Sequence, residues 1–489
     1  MTDTTAGHAP SPIGSAAAAA AGAIARHPGR WLVFAVVLMA DVMDLIDSTV
    51  TNVAAPAIRA DLGGGETLLQ WLGAGYTLAF AVLLITGARL GDLCGRRRLF
   101  LIGAAGFTLA SAACALAWSP EALIATRVLQ GAFGALMIPQ GFGMLTEVLD
   151  DREMPRAFGV FGPVMGIAAV LGPIVGALLV EADLLGTRWR AIFLVNVPLG
   201  VACLVVGARW MPRTVAARGG GLDLPGMALI GGAALALVYP LIQGREQGWP
   251  AWTFAVIALG LALAVCFALY ERRRPAERAL VQVTLMRNRA FTSGIAVAAA
   301  FFAAFAGIML VLSLFWQIGE GLTPIEAALS LVPLSVGMVA GMVASFALVA
   351  RFGRRLVAAG VAVSAAGIGG MAETALALDR PSPWAMVVPT AVVGIGAGMV
   401  FGQLFDVILG GVAEAEVGTA SGVLNALQQL SFALGIAIVA TIFFDVMDAP
   451  RPPSEALGIT LLCTLAPLAI AFALAFRLPR RPREGAPAH

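Results

Sequence analysis

The chain has 489 residues, 59% hydrophobic and only 12% charged, with a mean hydropathy of +0.89. Those proportions exclude an ordinary soluble domain and identify an all-α polytopic membrane protein. The formal net charge of +2 carries no nucleic-acid signal, because the arginines that make up the basic set are placed by topology.

Residues 1 to 30 contain an alanine run, Ala16 to Ala21, followed and not preceded by Arg26 and Arg30. That order is not a secretory signal, so a flexible cytoplasmic tail is expected. The first membrane helix is then expected over Trp31 to Pro56, and it carries Asp41, Asp44 and Asp47 near its middle. A carboxylate at the bilayer centre costs roughly 2.5 to 3.5 kcal/mol on insertion scales, so each must be neutralised, paired or turned to a wet cavity. Positions i, i+3 and i+6 share one helical face. Singly, each acid has a plain alternative as a packing hydrogen-bonder. As a trio without a Lys or Arg in the same span, they point to a proton or cation site facing a water-accessible cleft.

Gly, Pro and Arg punctuation predicts further spans near 67–90, 97–117, 121–148, 156–180 and 190–211, then a pair at 222–243 and 251–270. Six more are expected near 290–318, 324–349, 355–377, 384–410, 416–444 and 456–476. Fourteen spans put both termini on one side. Arg96 to Arg98, Arg209, Arg213, Arg218, Arg272 to Arg274, Arg351, Arg354, Arg355, Arg477, Arg480, Arg481 and Arg483 share that side, which the positive-inside rule makes cytoplasmic. GDLCGRRRL from Gly91 to Leu99 is echoed by VARFGRRL from Val349 to Leu356, each after the second helix of its half, with Ala350 standing where Asp92 stands. The chain therefore divides into tail 1–30, a six-helix bundle 31–211, an inserted pair with linkers 212–289, a second bundle 290–476 and tail 477–489. Repeated halves with a site at their interface are the usual plan of secondary transporters.

His8, His27 and His489 all lie in the tails, and the five cysteines form no C-x-x-C pair, so neither an intramembrane metal site nor a disulfide framework is expected. No cofactor is expected either. Membrane-depth polar or aromatic candidates for lining a cavity are Gln70, Trp71 and Tyr76 in helix 2, Gln140 in helix 4, Gln317 in helix 9, and Asn425, Gln428 and Gln429 in helix 13, together with Asp44. The same residues are equally suited to interhelical hydrogen bonds.

Gly87 to Arg98, with Gly91, Asp92, Gly95 and Arg96 at its centre, resembles the signature between helices 2 and 3 of the major facilitator superfamily. Asp47-Ser-Thr49-Val50-Thr-Asn52-Val53-Ala-Ala-Pro56, Trp189 to Gly200 and Ala420 to Gln429 are similar to motifs of the fourteen-helix drug:proton antiporter family, a resemblance that covers nearly the whole chain. It implies a major facilitator fold with fourteen helices, two six-helix bundles plus an inserted pair. It also implies an inner latch at Gly91 to Arg96 that closes in the outward-facing state. Arg127-Val-Leu-Gln130-Gly131 matches the family's helix 4 arginine motif, which is linked there to proton transfer. Arg127 and Asp47 fall at similar depth and can pair. Gly172, Pro173 and Gly176 resemble the exporters' helix 5 motif, except that Ala177 replaces its final glycine, and tight packing of helix 5 against the other half is expected.

The function implied is a monomeric, proton-coupled antiporter in the cell membrane that exports drugs or other amphipathic, lipophilic or cationic compounds. A dedicated exporter of one endogenous metabolite, antibiotic or lipid is the alternative. A membrane enzyme is disfavoured, since neither a G-x-S-x-G elbow nor an H-E-x-x-H pair is present.

Overall fold

A computed structural model describes residues 28–150, 152–183, 186–213, 223–274, 280–281, 283–413 and 416–478. The tails expected at 1–30 and 477–489 lie almost wholly outside the described residues. Helices α1 (Arg30–Leu62), α2 (Glu66–Cys94), α3 (Arg96–Ala115), α4 (Pro120–Val148), α5 (Met154–Glu181) and α6 (Arg188–Trp210) come first. The pair α7 (Leu224–Glu246) and α8 (Ala251–Glu271) follows. A five-residue helix, Val283–Arg287, then leads to α9 (Arg289–Gly319), α10 (Pro324–Ser330 and Val332–Phe352), α11 (Arg354–Ala377), α12 (Pro383–Leu409), α13 (Val417–Met447) and α14 (Pro453–Ala475).

The ends follow from local chemistry. Ser119 and Ser382 accept from the backbone N–H three residues on, at 3.2 and 3.3 Å, and each is followed by a proline at the first helical position of α4 and α12. Thr323 and Glu326 form a reciprocal capping box at α10. Between α2 and α3 the chain turns on Gly95 (φ +91°), and between α10 and α11 on Gly353 (φ +48°), so the sequence echo marks two equivalent turns that need a left-handed residue. The first helix outruns its expected end. Pro56 lies inside α1, which stops only at Gly63 and Gly64, both at positive φ.

Thirteen helices among the described residues are long and apolar enough to cross a membrane. α1 is not among them, although it is 33 residues long. Charge, not length, sets it apart, because Asp41, Asp44 and Asp47 fall together inside one span's length.

Helices α1 to α6 pack on one another, as do α9 to α14, and the two groups meet chiefly where α2 lies along α13 and where α5 meets α10. Helix α7 covers the α2–α13 seam, touching both, while α8 leans on α7. Apolar contact dominates these seams, and the second group gathers Phe301, Phe302, Phe305, Phe401 and Phe432 into one aromatic cluster.

On the face away from the termini the groups are stitched together. Ser313 Oγ donates to Asn52 O at 3.1 Å, Gln317 Nε2 donates to Val53 O at 3.1 Å, and Ile325 N donates to Glu181 Oε1 at 2.9 Å. Arg245 at the end of α7 reaches Glu66 of α2 and Asp448 beyond α13 at once. The π turn Phe315–Gly319 that ends α9 brings Gln317 to α1.

Candidate functional site

Asp47 on α1 is fully buried, and side chains of α4 and α6 converge on it. Arg127 Nη1 from α4 donates to Oδ2, while Gln130 Nε2 and Asn196 Nδ2, from α4 and α6, donate to Oδ1 at 2.8 and 2.6 Å. Gln130 in turn accepts from Arg127 Nη1 at 2.7 Å and donates to Ser111 Oγ of α3 at 2.8 Å. Arg127, also fully buried, donates through Nε to Leu72 O of α2 at 3.1 Å. Its guanidinium carbon lies 4.4 Å from the centre of the Tyr76 ring and 5.7 Å from that of Phe193. A buried ion pair survives in apolar surroundings only when its spare lone pairs and protons find partners, and here the amides and a carbonyl supply them.

One turn away, Asp44 is half-buried, and the Tyr76 hydroxyl donates to its Oδ1. Tyr76 therefore touches both systems, its hydroxyl on Asp44 and its ring on Arg127. A further turn back, Asp41 is 7% exposed, and among the described residues no hydrogen bond or ion pair reaches it. The trio does not form one wet face as the sequence analysis expected. Asp47 and Asp41 turn into the first helix group, and only Asp44 keeps an accessible side chain. The correction has a steric origin, since α4, α5 and α6 all lie against α1 and claim part of the expected arc.

Several expected lining residues also face elsewhere. Gln140, 1% exposed, donates to Gly87 O at 2.8 Å and so clasps α4 to α2. Gln70 is 1% exposed, and Trp71 turns outward to Tyr239 of α7 with ring centres 6.1 Å apart. Tyr76 is 1% exposed and serves Asp44. Gln317 is spent on the α1–α9 stitch. Asn425 is exposed, with its amide on Ser421 O at 3.0 Å, and Gln428 and Gln429 are half-buried. These three and Asp44 are the accessible remainder.

The expected latch residues pair inside the first group: Arg96 with Asp92 at 3.1 Å and with Glu147 at 3.3 Å. A Cβ on Gly91 would sit 1.7 Å from Gln140 Oε1, which is why this position takes glycine. In α5, Cβ atoms on Gly172 and Gly176 would meet Thr49 Oγ1 at 2.4 Å and Val50 Cβ at 2.8 Å. Both glycines, beside Pro173 in the helix interior, thus press α5 onto α1, not onto the other half as expected. Within the motif it is Ala177 that meets the other half, packed with Val53 and with Ala328 of α10. Glycine's missing methyl would leave a gap there.

Sequence reasoning does not single out Gln130, Ser111 or Asn196; membership of Gln130 in the helix 4 arginine motif and of Asn196 in the Trp189 to Gly200 motif is the one signal the sequence offers. Among the described residues no group of three or more His, Cys, Asp and Glu is placed to hold a metal ion. A hollow of about 420 Å³ lined by Ala57, Asp61, Val180, Asp183 and Trp189 opens at the far end of α1, away from Asp44.

Residues 37–436 match the Major Facilitator Superfamily. The chain is 46% identical to the "Probable actinorhodin transporter" of Streptomyces coelicolor, over 87% of its own length and 74% of the relative's. It is 32% identical to the "Tetracenomycin C resistance and export protein" of Streptomyces glaucescens, covering 84% and 76%. The "Multidrug resistance protein Stp" of Mycobacterium tuberculosis is 31% identical, covering 84% and 75%. Among solved structures, an auto-inhibited POT family peptide transporter superposes with TM-score 0.66 at 15% identity, over 93% of this chain and 98% of that one. A bacterial homologue of the lysosomal transporter Spinster, inward-facing and unoccupied, gives 0.63 at 17%, over 92% and 96%. At such identities the structures speak for the fold alone. The family and the relatives are transporters, not enzymes, and the relatives include antibiotic and multidrug exporters. Its helices, its repeated halves and its sequence place this chain in the Major Facilitator Superfamily.

Proposed function

We propose that the chain is a proton-coupled antiporter that exports amphipathic small molecules by alternating access between its two six-helix groups. The observation that carries this reading is the contrast between Asp47, sealed in a satisfied ion pair, and half-buried Asp44 one turn away, with Tyr76 touching both. Asp44 is the group that a proton or a cationic substrate can claim, and the two compete for one negative charge. Protonating Asp44 takes the charge out of the bond it accepts from the Tyr76 hydroxyl and gives the carboxyl a proton of its own to donate, which loosens the ring that lies on Arg127. The Arg127–Asp47 pair then senses the occupancy of Asp44 through a single side chain.

In this reading α1 is the fourteenth span. At 33 residues it is roughly 50 Å long, ample for a hydrocarbon core of about 30 Å. Arginine distribution places both termini in the cytoplasm. The stitched far face is then extracellular, and the structure is the state open to the cytoplasm, with the Asp92–Arg96 latch held within its own half. The lipid bilayer and protons are the chain's other partners, and it works as a monomer.

The test is proton-gradient-driven efflux from proteoliposomes across cationic and neutral dyes. Asp44→Asn is expected to abolish uphill export of cations, and full uphill export by that variant would end the proposal. The relative named for actinorhodin, at 46% identity, favours a second reading, a dedicated exporter of one endogenous antibiotic. Efflux confined to one chemical series within a broad panel would select it.

A further inference from the structure

At the termini-side base of the inserted pair, Asp223 opens α7 and Glu271 closes α8. Asp223 Oδ1 is heavily used, accepting from Gly226 N at 3.1 Å, Tyr270 Oη at 2.7 Å and Arg274 Nη2 at 3.1 Å. Glu271, fully buried, accepts through Oε2 from Val281 N at 3.0 Å. The other oxygens, Asp223 Oδ2 and Glu271 Oε1, are buried and have no donor. They lie together: a Cβ on Gly226 would be 2.5 Å from one and 3.0 Å from the other. Two oxygens that can only accept do not bond to each other. A proton between them turns one into a donor.

We propose that Asp223 and Glu271 form a carboxyl–carboxylate pair that holds one proton at neutral pH, a protonation site separate from the acids of α1. Glu271 carries the proton. Burial pushes Asp223 up, but hydrogen bonds from Tyr270 and the Gly226 amide, with Glu271 and Arg274 beside it, bring it below the usual carboxylate range, so it is the ionised member. The charged or titratable groups bonded to the pair, among the described residues, are Tyr270 of α8 and Arg274 just beyond its end. Beside the pair, Phe267, Leu280 and Val281 form an apolar cluster with Ile85 from α2, Met227 and Ile230 from α7, Met286 from the short helix and Val423 from α13.

The position gives the proton a task. Leu280 and Val281 begin the stretch that enters the second helix group, and they pack with Phe267 in the apolar cluster containing Ile85 and Val423. Glu271 ties that stretch to the inserted pair through the Val281 amide. Losing the shared proton sets two negative charges side by side and loosens the tie. A group that holds its proton more tightly folded than unfolded contributes stability at low pH and loses it as pH rises, so alkaline conditions weaken this joint.

The experiment does not depend on the transport proposal. Infrared spectra of the full chain in lipid nanodiscs, wild type minus Glu271→Gln, are expected to show a carboxylic-acid C=O band at neutral pH that disappears on alkalinisation. Asp223→Asn is expected to remove the same pH-dependent feature. Protection of the 280–287 amides from hydrogen–deuterium exchange, taken relative to the base-catalysed intrinsic rate at each pH, is expected to fall at alkaline pH in the wild type and to stay constant in Glu271→Gln, whose amide preserves the donor. Carboxylate bands alone at neutral pH would overturn the assignment. So would an acid band that responds to sodium or calcium at constant pH, which marks a cation site instead.

Discussion

Replacing Asp47 by Asn leaves the Arg127 guanidinium buried without its counter-charge, since that side chain is fully enclosed and bonded otherwise only to Gln130 and Leu72 O. Breaking one side of a buried pair costs roughly 3 to 5 kcal/mol, mostly the penalty of the stranded charge. The Asn amide also puts a donor where every neighbour donates, against Arg127 in one orientation and against the Gln130 and Asn196 amides in the other. Removing both charges in Asp47→Asn/Arg127→Leu strands nothing ionic. What remains is the orphaned Leu72 carbonyl and the altered amide contacts, worth about 1 kcal/mol each. The double variant is therefore expected to be more stable than Asp47→Asn alone by roughly 1 to 3 kcal/mol, a coupling readable by a mutant cycle. Denaturant unfolding in mixed micelles, followed by fluorescence of buried Trp189, measures it. If the two single losses simply add in the double variant, the pair carries no ionic coupling and the division of roles between Asp47 and Asp44 fails with it.

Gly91→Ala is expected to destabilise by roughly 1 to 3 kcal/mol, because its methyl would meet Gln140 Oε1 at 1.7 Å; thermal unfolding checks this, and Gln140→Ala should restore much of the loss. Arg245→Ala removes the bridge from Glu66 to Asp448, whose acids are 25% and 71% exposed, so about 1 kcal/mol of far-face closure is at stake. Spin-label distances between α2 and α13 should lengthen on that face, and raised salt should mimic the effect in the wild type. Exchange of one monovalent cation for the single proton of Asp44 moves no net charge, so its export should be independent of voltage. Voltage-driven export by reconstituted protein would show that a second acid of α1 titrates in the cycle, each added proton contributing about 2.3 kcal/mol per 100 mV.

The spans were legible because twenty-residue apolar runs cut by Gly, Pro and Arg leave few alternatives, and most helix ends fall within a few residues of the expected ones. α1 was misjudged at Pro56, where the helix continues to Leu62 because the residues that force a left-handed turn come later, at Gly63 and Gly64. Within the site, depth alone put Arg127 level with Asp47. Depth cannot say which of several neighbours a face meets. Gln140 and Trp71 look alike from the sequence, as polar or aromatic residues at mid-membrane, yet one clasps α2 and the other turns to the inserted pair. Asn196 is harder still, because its partner lies 149 positions earlier and nothing local to α6 names it. The exchange of roles in α5 is a similar case: the glycines that stand out serve α1, and the alanine that departs from the motif meets α10.

Helix α7 lies along one of the two seams between the helix groups, and among the described residues no inserted helix lies along the other, where α5 meets α10. The transporter thus has one shuttered flank and one bare flank toward the lipid. On the proposed function, a compound dissolved in the inner leaflet is expected to enter sideways between α5 and α10, and bulky substitutions along that bare flank should slow its export.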